Sequence, residues 1–390
     1  MDRPLAWLPT LAILALLAVA SLAWAGHHAL RKSDDLMRRA EEISLFVKAE
    51  NPYHDPDMTY PPTALPVFAP LVAPFLARPV VLRAVWLALN LVVLVVLCAT
   101  IVRLWGKSWP GWLQAAFCLA VVACKPVRGG IGLGQFHLVP VALMLLSLTA
   151  LKARRPTLAG LLVGIALAKP TMVAPFLGFL AVRRQWRTLF TAGLLQGAML
   201  LGVSGWLRIS PDRLIADWLA NARSQLNQGV IDIPSLLERA WPAAPASASQ
   251  VALGVLILTF AMMYLCRRQN DLRLVSFCMF MSALFTYHRH YDLVLLVPAL
   301  AAAIEAARTD TGPGARTKTL VATLLAIALI SPSNSAITGR YEIYYNIFFI
   351  IIIYSCFIIL YLPLFAEFHV SPREPSPPTA HPLAMTTERQ

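Results

Sequence analysis

Long apolar blocks alternate with short polar segments along most of the chain. Many of these blocks approach the ~20 residues that a helix needs to cross ~30 Å of hydrocarbon. The pattern predicts an all-α fold, a polytopic transmembrane helical bundle of about 10–12 membrane helices, some of them half-length. The predicted spans are residues 4–25, 80–102, 111–124, 136–151, 157–168, 170–182, 188–207, 249–266, 272–287, 291–307, 318–331 and 343–366.

Two of the predicted spans, 157–168 and 170–182, are too short to cross alone and meet at Lys169-Pro170. Proline lacks a backbone donor and disfavours helix in the residue before it. Broken backbone inside a membrane is tolerated only where protein buries it or where it lines a cavity. We therefore interpret this pair as two half-depth helices.

The first apolar block could be mistaken for a signal peptide, because Ala23-Trp24-Ala25 imitates a small-residue cleavage site. Its apolar run is longer than the core of a usual signal peptide, and Trp24 suits an anchor at the membrane interface. We interpret residues 4–25 as an uncleaved first span.

The short loops that carry most of the lysine and arginine residues fall on one side when the predicted spans alternate. The positive-inside rule places that side, and both termini, in the cytoplasm. We expect a single transmembrane domain over residues 1–366 in the plasma (inner) membrane and a disordered cytoplasmic tail over 367–390. The basic groups that set this orientation are Arg103/Lys107, Lys152/Arg154/Arg155, Arg183/Arg184/Arg187, Arg267/Arg268/Arg273 and Arg308/Arg316/Lys318.

Two long segments, 26–79 and 208–248, are predicted to lie on the extracytoplasmic face, together with most of the acidic residues outside the tail. Within the first segment, residues 36–48 place Leu36, Ala40 and their apolar neighbours on one side and charged residues on the other. This spacing predicts an amphipathic helix that lies along the membrane surface.

Composition supports a membrane protein surrounded by membrane lipids. Hydrophobic residues make up 58% of the 390 residues and charged residues 14%, which is more apolar side chain than a soluble fold can bury. The net charge of +13 does not indicate nucleic-acid binding, because the basic residues sit in short runs between apolar blocks. The six cysteines have neither CxxC nor metal-ligand spacing, so no metal and no cofactor are predicted.

Two adjacent carboxylates, Asp34 and Asp35, follow the first span and precede the predicted surface helix. A carboxylate at this boundary could take the proton of an acceptor hydroxyl during group transfer. Ser33-Asp34-Asp35 is also typical of a helix N-terminus, so capping is the alternative role.

Fixed cations on the same side could stabilise the phosphate of a leaving group. The glycine-rich stretch after Lys125 and Arg128 predicts a flexible basic loop whose backbone amides could approach an anion, with an ordinary re-entrant turn as the alternative. Lys169, between two apolar half-helices, is either a functional residue or a shallow one whose side chain snorkels to the interface.

A third basic group, His288, Arg289 and His290, lies at an external span junction. The histidines could contact phosphate or belong to an interfacial belt of aromatic and basic residues. Arg289 is the stronger phosphate candidate because it is always protonated. The tryptophans near or within the second long segment favour headgroup anchoring over sugar stacking; they are Trp206, Trp218 and Trp241.

Four groups of residues form motifs that follow one another between residues 5 and 310. They are Asp34-Asp35 with Asn51-Pro52-Tyr53 and Tyr60-Pro61-Pro62, then Gly134-Gln135-Phe136-His137, then Arg155-Pro156 through Lys169-Pro170-Thr171, and finally Tyr287-His288-Arg289-His290-Tyr291-Asp292. Together they resemble glycosyltransferase family 87, which comprises integral-membrane, polyprenyl-phosphate-dependent mannosyltransferase-like enzymes of the GT-C fold. In that family an asparagine occupies the position of His137.

The resemblance implies a GT-C-type bundle with an extracytoplasmic active site. An Asp of the first loop would be the general base; Asp35 matches best because a Leu follows it, and Asp34 is the alternative. The reaction implied is the inverting transfer of a hexose, most directly mannose, from a polyprenyl-phosphate sugar donor to a lipid or glycan acceptor. Residues at the other motif positions are expected to bind substrate: Tyr53, Tyr60, Gln135 and His137.

Two other functions were weighed against this hypothesis. A transporter or flippase of a lipid-linked sugar would also need many spans and broken helices, but it predicts repeated halves with matching interruptions, and the sequence contains no such repeat. A non-catalytic membrane assembly protein is indicated by no particular feature. Nucleotide-driven chemistry has no Walker, GxSxG or HExxH motif to support it.

Overall fold

The computed structural model describes residues 7–225, 233, 248–285 and 288–309, and within them fourteen α-helices and no β-strand. The predicted all-α, polytopic membrane bundle is confirmed. The helices are α1 (Leu8–Arg31), α2 (Asp34–Val47), α3 (Leu65–Val72), α4 (Pro79–Trp105), α5 (Gly111–Ala123), α6 (Lys125–Leu133), α7 (Leu138–Lys152), α8 (Pro156–Ala166), α9 (Pro170–Val182), α10 (Trp186–Leu207), α11 (Pro211–Gln225), α12 (Ala248–Leu265), α13 (Asp271–Phe285) and α14 (Val297–Thr309). Turns of 3-10 helix occur at Pro52–His54, Pro62–Ala64, Ala73–Phe75 and His290–Leu296.

Each predicted span that starts before residue 310 coincides with helical structure in the described part of the chain. The remaining predicted spans, 318–331 and 343–366, and the predicted tail lie outside the described residues. Among the described helices, four runs are long and apolar enough to cross a membrane, or five if α5 and α6, which meet at a 45° bend, form one span. The four runs are Leu8–Val47, Pro79–Trp105, Trp186–Leu207 and His290–Thr309.

The long helices α1, α4 and α10 carry much of the exposed apolar surface of the described bundle. They expose large apolar side chains such as Leu16, Val95 and Phe190. The shorter α7, α9 and α13 contribute instead to the main hydrophobic core. Apolar side chains on the outside of such a bundle suit contact with lipid tails, because lipid rather than water is the solvent there.

Several of the basic loops meet at one end of the bundle. Arg183, after α9, donates to the backbone carbonyl of Arg267 at 2.7 Å and pairs with Asp271 at 2.8 Å. Arg308, in the last turn of α14, donates to the carbonyl of Ser108 at 3.0 Å. We call this the basic end; α7 and α9 finish there and begin at the opposite end, which we call the site end.

The break between α1 and α2 occurs at Ser33, whose backbone is left-handed with φ of 45°. Its hydroxyl donates to the carbonyl of Ala29 in the last turns of α1. A helix is present at α2, where one was predicted over residues 36–48, but the expectation that all its charged residues lie opposite the apolar side is wrong. Arg39 and Glu42 are buried beside Leu36, and the guanidinium of Arg39 contacts the carboxyl group of Glu42.

Candidate functional site

Asp35 and Gln135 meet at the site end. Asp35 is in the first turn of α2, and Gln135 is in the turn between α6 and α7. The Nε2 atom of Gln135 donates to Oδ2 of Asp35. Neither aspartate caps α2 in the usual way, since Ser33 is the N-cap residue and provides no side-chain cap. Asp35 is half-buried, whereas the carboxylate of Asp34 is exposed and has no hydrogen-bond partner among the described residues.

The turn that carries Gln135 depends on Gly134. Gly134 has φ of +75°, a backbone conformation that residues other than glycine rarely adopt. A Cβ atom at this position would lie 2.5 Å from Cβ of Leu36. Glycine therefore lets the turn approach the start of α2 closely enough for Gln135 to reach Asp35.

Tyr60 extends the hydrogen-bonded chain beyond Gln135. Its hydroxyl donates to Oε1 of Gln135 at 3.3 Å, and its backbone carbonyl accepts from the hydroxyl of Tyr53 at 2.9 Å. Burial raises the pKa of Tyr60. The charges of Lys169 and Arg39 offset this pKa shift, and those of Asp292 and Asp35 add to it. Tyr60 is therefore protonated at neutral pH and is placed among charged groups from both sides of the site.

The buried side chains of Arg39 and Glu42 contact each other next to Tyr60. The guanidinium carbon of Arg39 is 4.7 Å from the centre of the Tyr60 ring, a cation–π distance. Arg39 pairs with Glu42 and also donates to the sulfur of Met58 at 3.3 Å. Burial raises the pKa of Glu42 to about 8, and the Arg39 charge offsets only part of that rise.

The glycine-rich stretch after Lys125 is a helix, so the prediction of a flexible basic loop is wrong. Residues Lys125–Leu133 form α6, and two of its glycines, Gly130 and Gly132, allow close packing. A Cβ atom at Gly130 would lie 2.1 Å from the imidazole of His137, which is fully buried against this helix. Lys125 and Arg128 both lie on α6 and are partly exposed.

Lys169 forms a buried ion pair with Asp292. Lys169 occupies the N-cap position of α9 at the predicted helix break, and its Nζ atom lies 2.5 Å from Oδ1 of Asp292. His288 is fully buried, with Nδ1 at 3.3 Å from the other oxygen of Asp292 and Nε2 at 2.8 Å from the carbonyl of Ser282. The structure thus places Lys169 and His288 around a carboxylate of the protein itself.

Ring contacts join this ion pair to the Gln135 turn. The ammonium of Lys169 lies 5.1 Å from the centre of the Tyr291 ring, and the ring of His137 is 6.1 Å from that of Tyr291. Nδ1 of His137 is 3.4 Å from the carbonyl of Gln135. The residues predicted from distant motifs are therefore contiguous at the site end.

The remaining predicted cations border this cluster. Arg289 is exposed and precedes the 3-10 turn His290–Leu296, where its backbone amide donates to Asp292 at 3.3 Å. His290 is partly exposed. Helix α6 packs directly on this turn, so Lys125 and Arg128 belong to the same part of the molecule as Arg289 and His290. Tyr287, the first residue of that motif, lies outside the described residues.

Helix α11, the start of the second long segment, holds the first segment in place. The carboxamide of Asn221 lies 3.2, 2.9 and 3.3 Å from the carbonyls of Tyr53, Asp55 and Met58. The indole of Trp218 donates to the carbonyl of Thr59 at 2.9 Å.

Trp218 thus links α11 to the first segment, a structural role that differs from the headgroup anchoring and the sugar stacking considered from the sequence. Trp206 is exposed and donates to the carbonyl of Phe46 at 2.6 Å, whereas Trp241 lies outside the described residues. In the part of the chain that the structure describes, no group of three or more His, Cys, Asp or Glu side chains could hold a metal ion.

The sequence model of glycosyltransferase family 87 matches residues 58–287, more than half of the chain. The chain belongs to glycosyltransferase family 87. The matched region contains Tyr60, the Gln135 turn and Lys169, while Asp35 precedes it and Asp292 follows it.

A curated relative points in the same direction as the family 87 match. The polyprenol-phosphate-mannose-dependent alpha-(1-2)-phosphatidylinositol mannoside mannosyltransferase of Mycolicibacterium smegmatis is 31% identical over 149 residues. The alignment covers 35% of this chain and 32% of the relative, so the chain spans about a third of the length of that protein. No solved structure matches the chain significantly.

Sequence reasoning missed four residues of the site: Asp292, Arg39, Glu42 and Asn221. Asp292 ends the motif that begins at Tyr287, directly before an apolar run, and an ionisable residue there indicates a functional or paired side chain. Arg39 and Glu42 are three residues apart on α2, a spacing that allows pairing. No comparable signal existed for Asn221, whose partners are backbone carbonyls more than 160 residues away in sequence.

Proposed function

We propose that this family 87 member is a membrane glycosyltransferase. It moves a hexose, most directly mannose, from a polyprenyl-phosphate donor to a lipid or glycan acceptor on the extracytoplasmic face. Asp35 is the general base, and the sugar is transferred with inversion at the anomeric carbon. The observation that carries this proposal is the half-buried Asp35 held at one oxygen by Gln135.

The substrate classes are supported by the relative from Mycolicibacterium smegmatis, whose name specifies a polyprenol-phosphate-mannose donor and a phosphatidylinositol mannoside acceptor. Its sequence matches only a third of this chain, and the acceptor is therefore proposed as a lipid or glycan without a narrower identity. The long apolar helices support a donor and acceptor that stay in the membrane. The positive-inside distribution of the basic loops supports both cytoplasmic termini and a site end on the extracytoplasmic side.

In the proposed reaction the acceptor hydroxyl attacks the anomeric carbon of the donor. A new carbon–oxygen bond forms to the acceptor while the bond between the anomeric carbon and the phosphate oxygen breaks, and polyprenyl phosphate leaves. Asp35 takes the hydroxyl proton through the oxygen that Gln135 does not occupy. Asp34 is a poorer base candidate because it is exposed and no partner among the described residues would hold it in position.

The departing phosphate needs fixed positive charge. Lys125, Arg128, Arg289 and His290 are partly or fully exposed and border the site, which suits contact with a phosphate. Lys169 already faces Asp292, and we assign it and His288 to the inner wall of the phosphate site. Of the residues predicted to bind substrate, Gln135 and Tyr60 lie beside Asp35, whereas Tyr53 and His137 are buried.

The proposal is tested with purified protein in lipid nanodiscs, polyprenyl-phosphate mannose and glycolipids extracted from the native membrane. We expect release of polyprenyl phosphate only when an acceptor is present. Asp35→Asn should abolish release while donor binding persists, and Asp34→Asn should retain turnover. Undiminished release by the Asp34→Asn/Asp35→Asn double variant would reject the proposed base, and movement of donor across the bilayer without transfer would indicate a transporter.

A further inference from the structure

The carboxamide of Gln135 has two chemically different ends, and only one of them can face Asp35. An ionised carboxylate accepts hydrogen bonds and donates none, so the nitrogen of the carboxamide must point toward it. The carboxamide oxygen then points the other way, where the Tyr60 hydroxyl donates to it at 3.3 Å. If the carboxamide turned over, its oxygen would face the Asp35 oxygen, and two acceptors would repel each other.

We propose that Tyr60 is a positioning residue that acts on Asp35 through Gln135. Its hydroxyl fixes the carboxamide in the one orientation that holds Oδ2 of Asp35, so that the second carboxylate oxygen stays directed at the acceptor hydroxyl. The proposal rests on the proposed role of Asp35 as the base. It assigns Tyr60 to the alignment of the base, whereas its motif position had suggested contact with substrate.

The position of the Tyr60 ring is itself fixed by several neighbours. The Arg39 guanidinium lies 4.7 Å from the ring centre, and the ring of Phe68 meets it edge-on at 5.2 Å. The Tyr53 hydroxyl donates to the Tyr60 carbonyl at 2.9 Å. A ring held in this way has little freedom to turn its hydroxyl away from Gln135. The contact of Arg39 with Glu42 holds the guanidinium in its position over the ring.

The hydroxyl must also keep its proton if it is to donate. Burial raises the pKa of Tyr60, with Asp292 and Asp35 adding to the effect, so the hydroxyl is protonated throughout the neutral range. A Tyr60 hydroxyl that already donates to Gln135 is a poor partner for the many hydroxyls of a sugar. The two roles predict different kinetics: a lost substrate contact raises KM, and a misaligned base lowers kcat.

The first test is Tyr60→Phe, which removes the hydroxyl and retains the ring that Arg39 and Phe68 contact. We expect kcat to fall about tenfold, with the KM values of donor and acceptor unchanged to within about twofold. The thermal midpoint of unfolding should stay close to that of the wild type. The matched control is Tyr264→Phe, which removes a hydroxyl near Arg267 at the basic end and should leave kcat unaltered.

The second test is a double-mutant cycle with Gln135→Met, which has a side chain of similar length and no carboxamide. If Tyr60 acts through Gln135, Tyr60→Phe should cause no further loss of kcat in the Gln135→Met background. The proposal is overturned if the losses of kcat caused by the two substitutions multiply in the double variant. A Tyr60→Phe variant with raised KM and normal kcat would overturn it too. If Tyr60→Phe does not fold, Gln135→Met alone must still lower kcat at constant KM.

The outcomes also separate this inference from the proposed function. If the Asp35→Asn variant keeps full turnover, Asp35 is not the base, and a role of Tyr60 in aligning it is rejected as well. An inactive Asp35→Asn variant beside a fully active Tyr60→Phe variant leaves Asp35 as the base and rejects only the positioning role of Tyr60.

Discussion

The ammonium of Lys169 lies 2.5 Å from the carboxylate of Asp292, although 123 residues separate them in sequence. Their side chains are only 11% and 2% exposed. The contact joins the break between α8 and α9 to the turn that follows α13. It pairs two charges in an apolar bundle, where a single charge would be costly.

The first prediction concerns this pair. Asp292→Asn should lower the free energy of unfolding by about 3–5 kcal/mol, because it removes the carboxylate that compensates the buried ammonium. Lys169→Met/Asp292→Leu should recover much of the loss, since neither charge is then buried alone. Unfolding in detergent followed by circular dichroism measures both variants. Equal destabilisation by the single and double variants would contradict a charge-pairing role.

The second prediction concerns Gly134, whose positive φ brings the Gln135 turn onto α2. Gly134→Ala should destabilise the protein by about 1–3 kcal/mol and greatly reduce turnover, because the new methyl group would collide with Leu36 and displace Gln135 from Asp35. The control is Gly129→Ala in α6, where a Cβ atom has nothing within 4 Å and alanine should stabilise the helix by up to ~1 kcal/mol. Similar activity in the two variants would refute the proposed docking.

The third prediction concerns Asn221, which links α11 to the first external segment. Asn221→Ala should leave carbonyls of Tyr53, Asp55 and Met58 without their donor, at a cost of about 1–3 kcal/mol. Hydrogen exchange should become faster in residues 53–58, and turnover should fall because Tyr53 supports Tyr60. Arg223→Ala, an exposed position on the same helix, serves as the control and should leave exchange unaffected. Unchanged protection in Asn221→Ala would argue against the link.

The fourth prediction is a pH dependence set by Glu42, the buried partner of Arg39. Burial raises its folded-state pKa to about 8 from an unfolded value near 4.5, so the folded protein binds more protons than the unfolded chain between these two pH values. Stability should therefore decrease as the pH rises from about 4.5 to about 8.

Two variants check the pH prediction. Glu42→Gln should flatten the decline in stability with pH, whereas Glu41→Gln, an exposed neighbour on α2, should preserve it. Unfolding midpoints at a series of pH values give the comparison. A slope that survives in Glu42→Gln would assign the titration to another group.

The positions of the helices could be predicted because each depends on a local block of apolar residues. The predicted span 80–102 is α4, Pro79–Trp105, and the predicted break at Lys169-Pro170 separates α8 from α9. Proline and apolar length act within a few residues, so no tertiary information was needed. The separate candidates Asp35, Tyr60 and Gln135 were also identified from local motifs.

Their mutual contacts could not be predicted, since they join residues 75 and 100 positions apart. The glycines of α6 illustrate the same limit. In sequence they predicted a flexible anion-binding loop, but Gly130 is needed because the ring of His137 lies against it. Likewise, helical spacing alone does not predict that Arg39 and Glu42 are buried. Their burial depends on the contact between the two side chains and on the ring of Tyr60.

The difference in length between the outer and inner helices has a consequence for how substrates arrive. The outer helices α1, α4 and α10 have 24, 27 and 22 residues, or at least ~33 Å at 1.5 Å per residue, whereas α7, α9 and α13 have 15, 13 and 15, or no more than ~23 Å. Helices no longer than ~23 Å cannot cross ~30 Å of hydrocarbon from end to end, so at least one end of each would lie inside the apolar layer. A phosphate tethered to an isoprenoid tail could then enter from the side, and its carrier need not be lifted out of the leaflet.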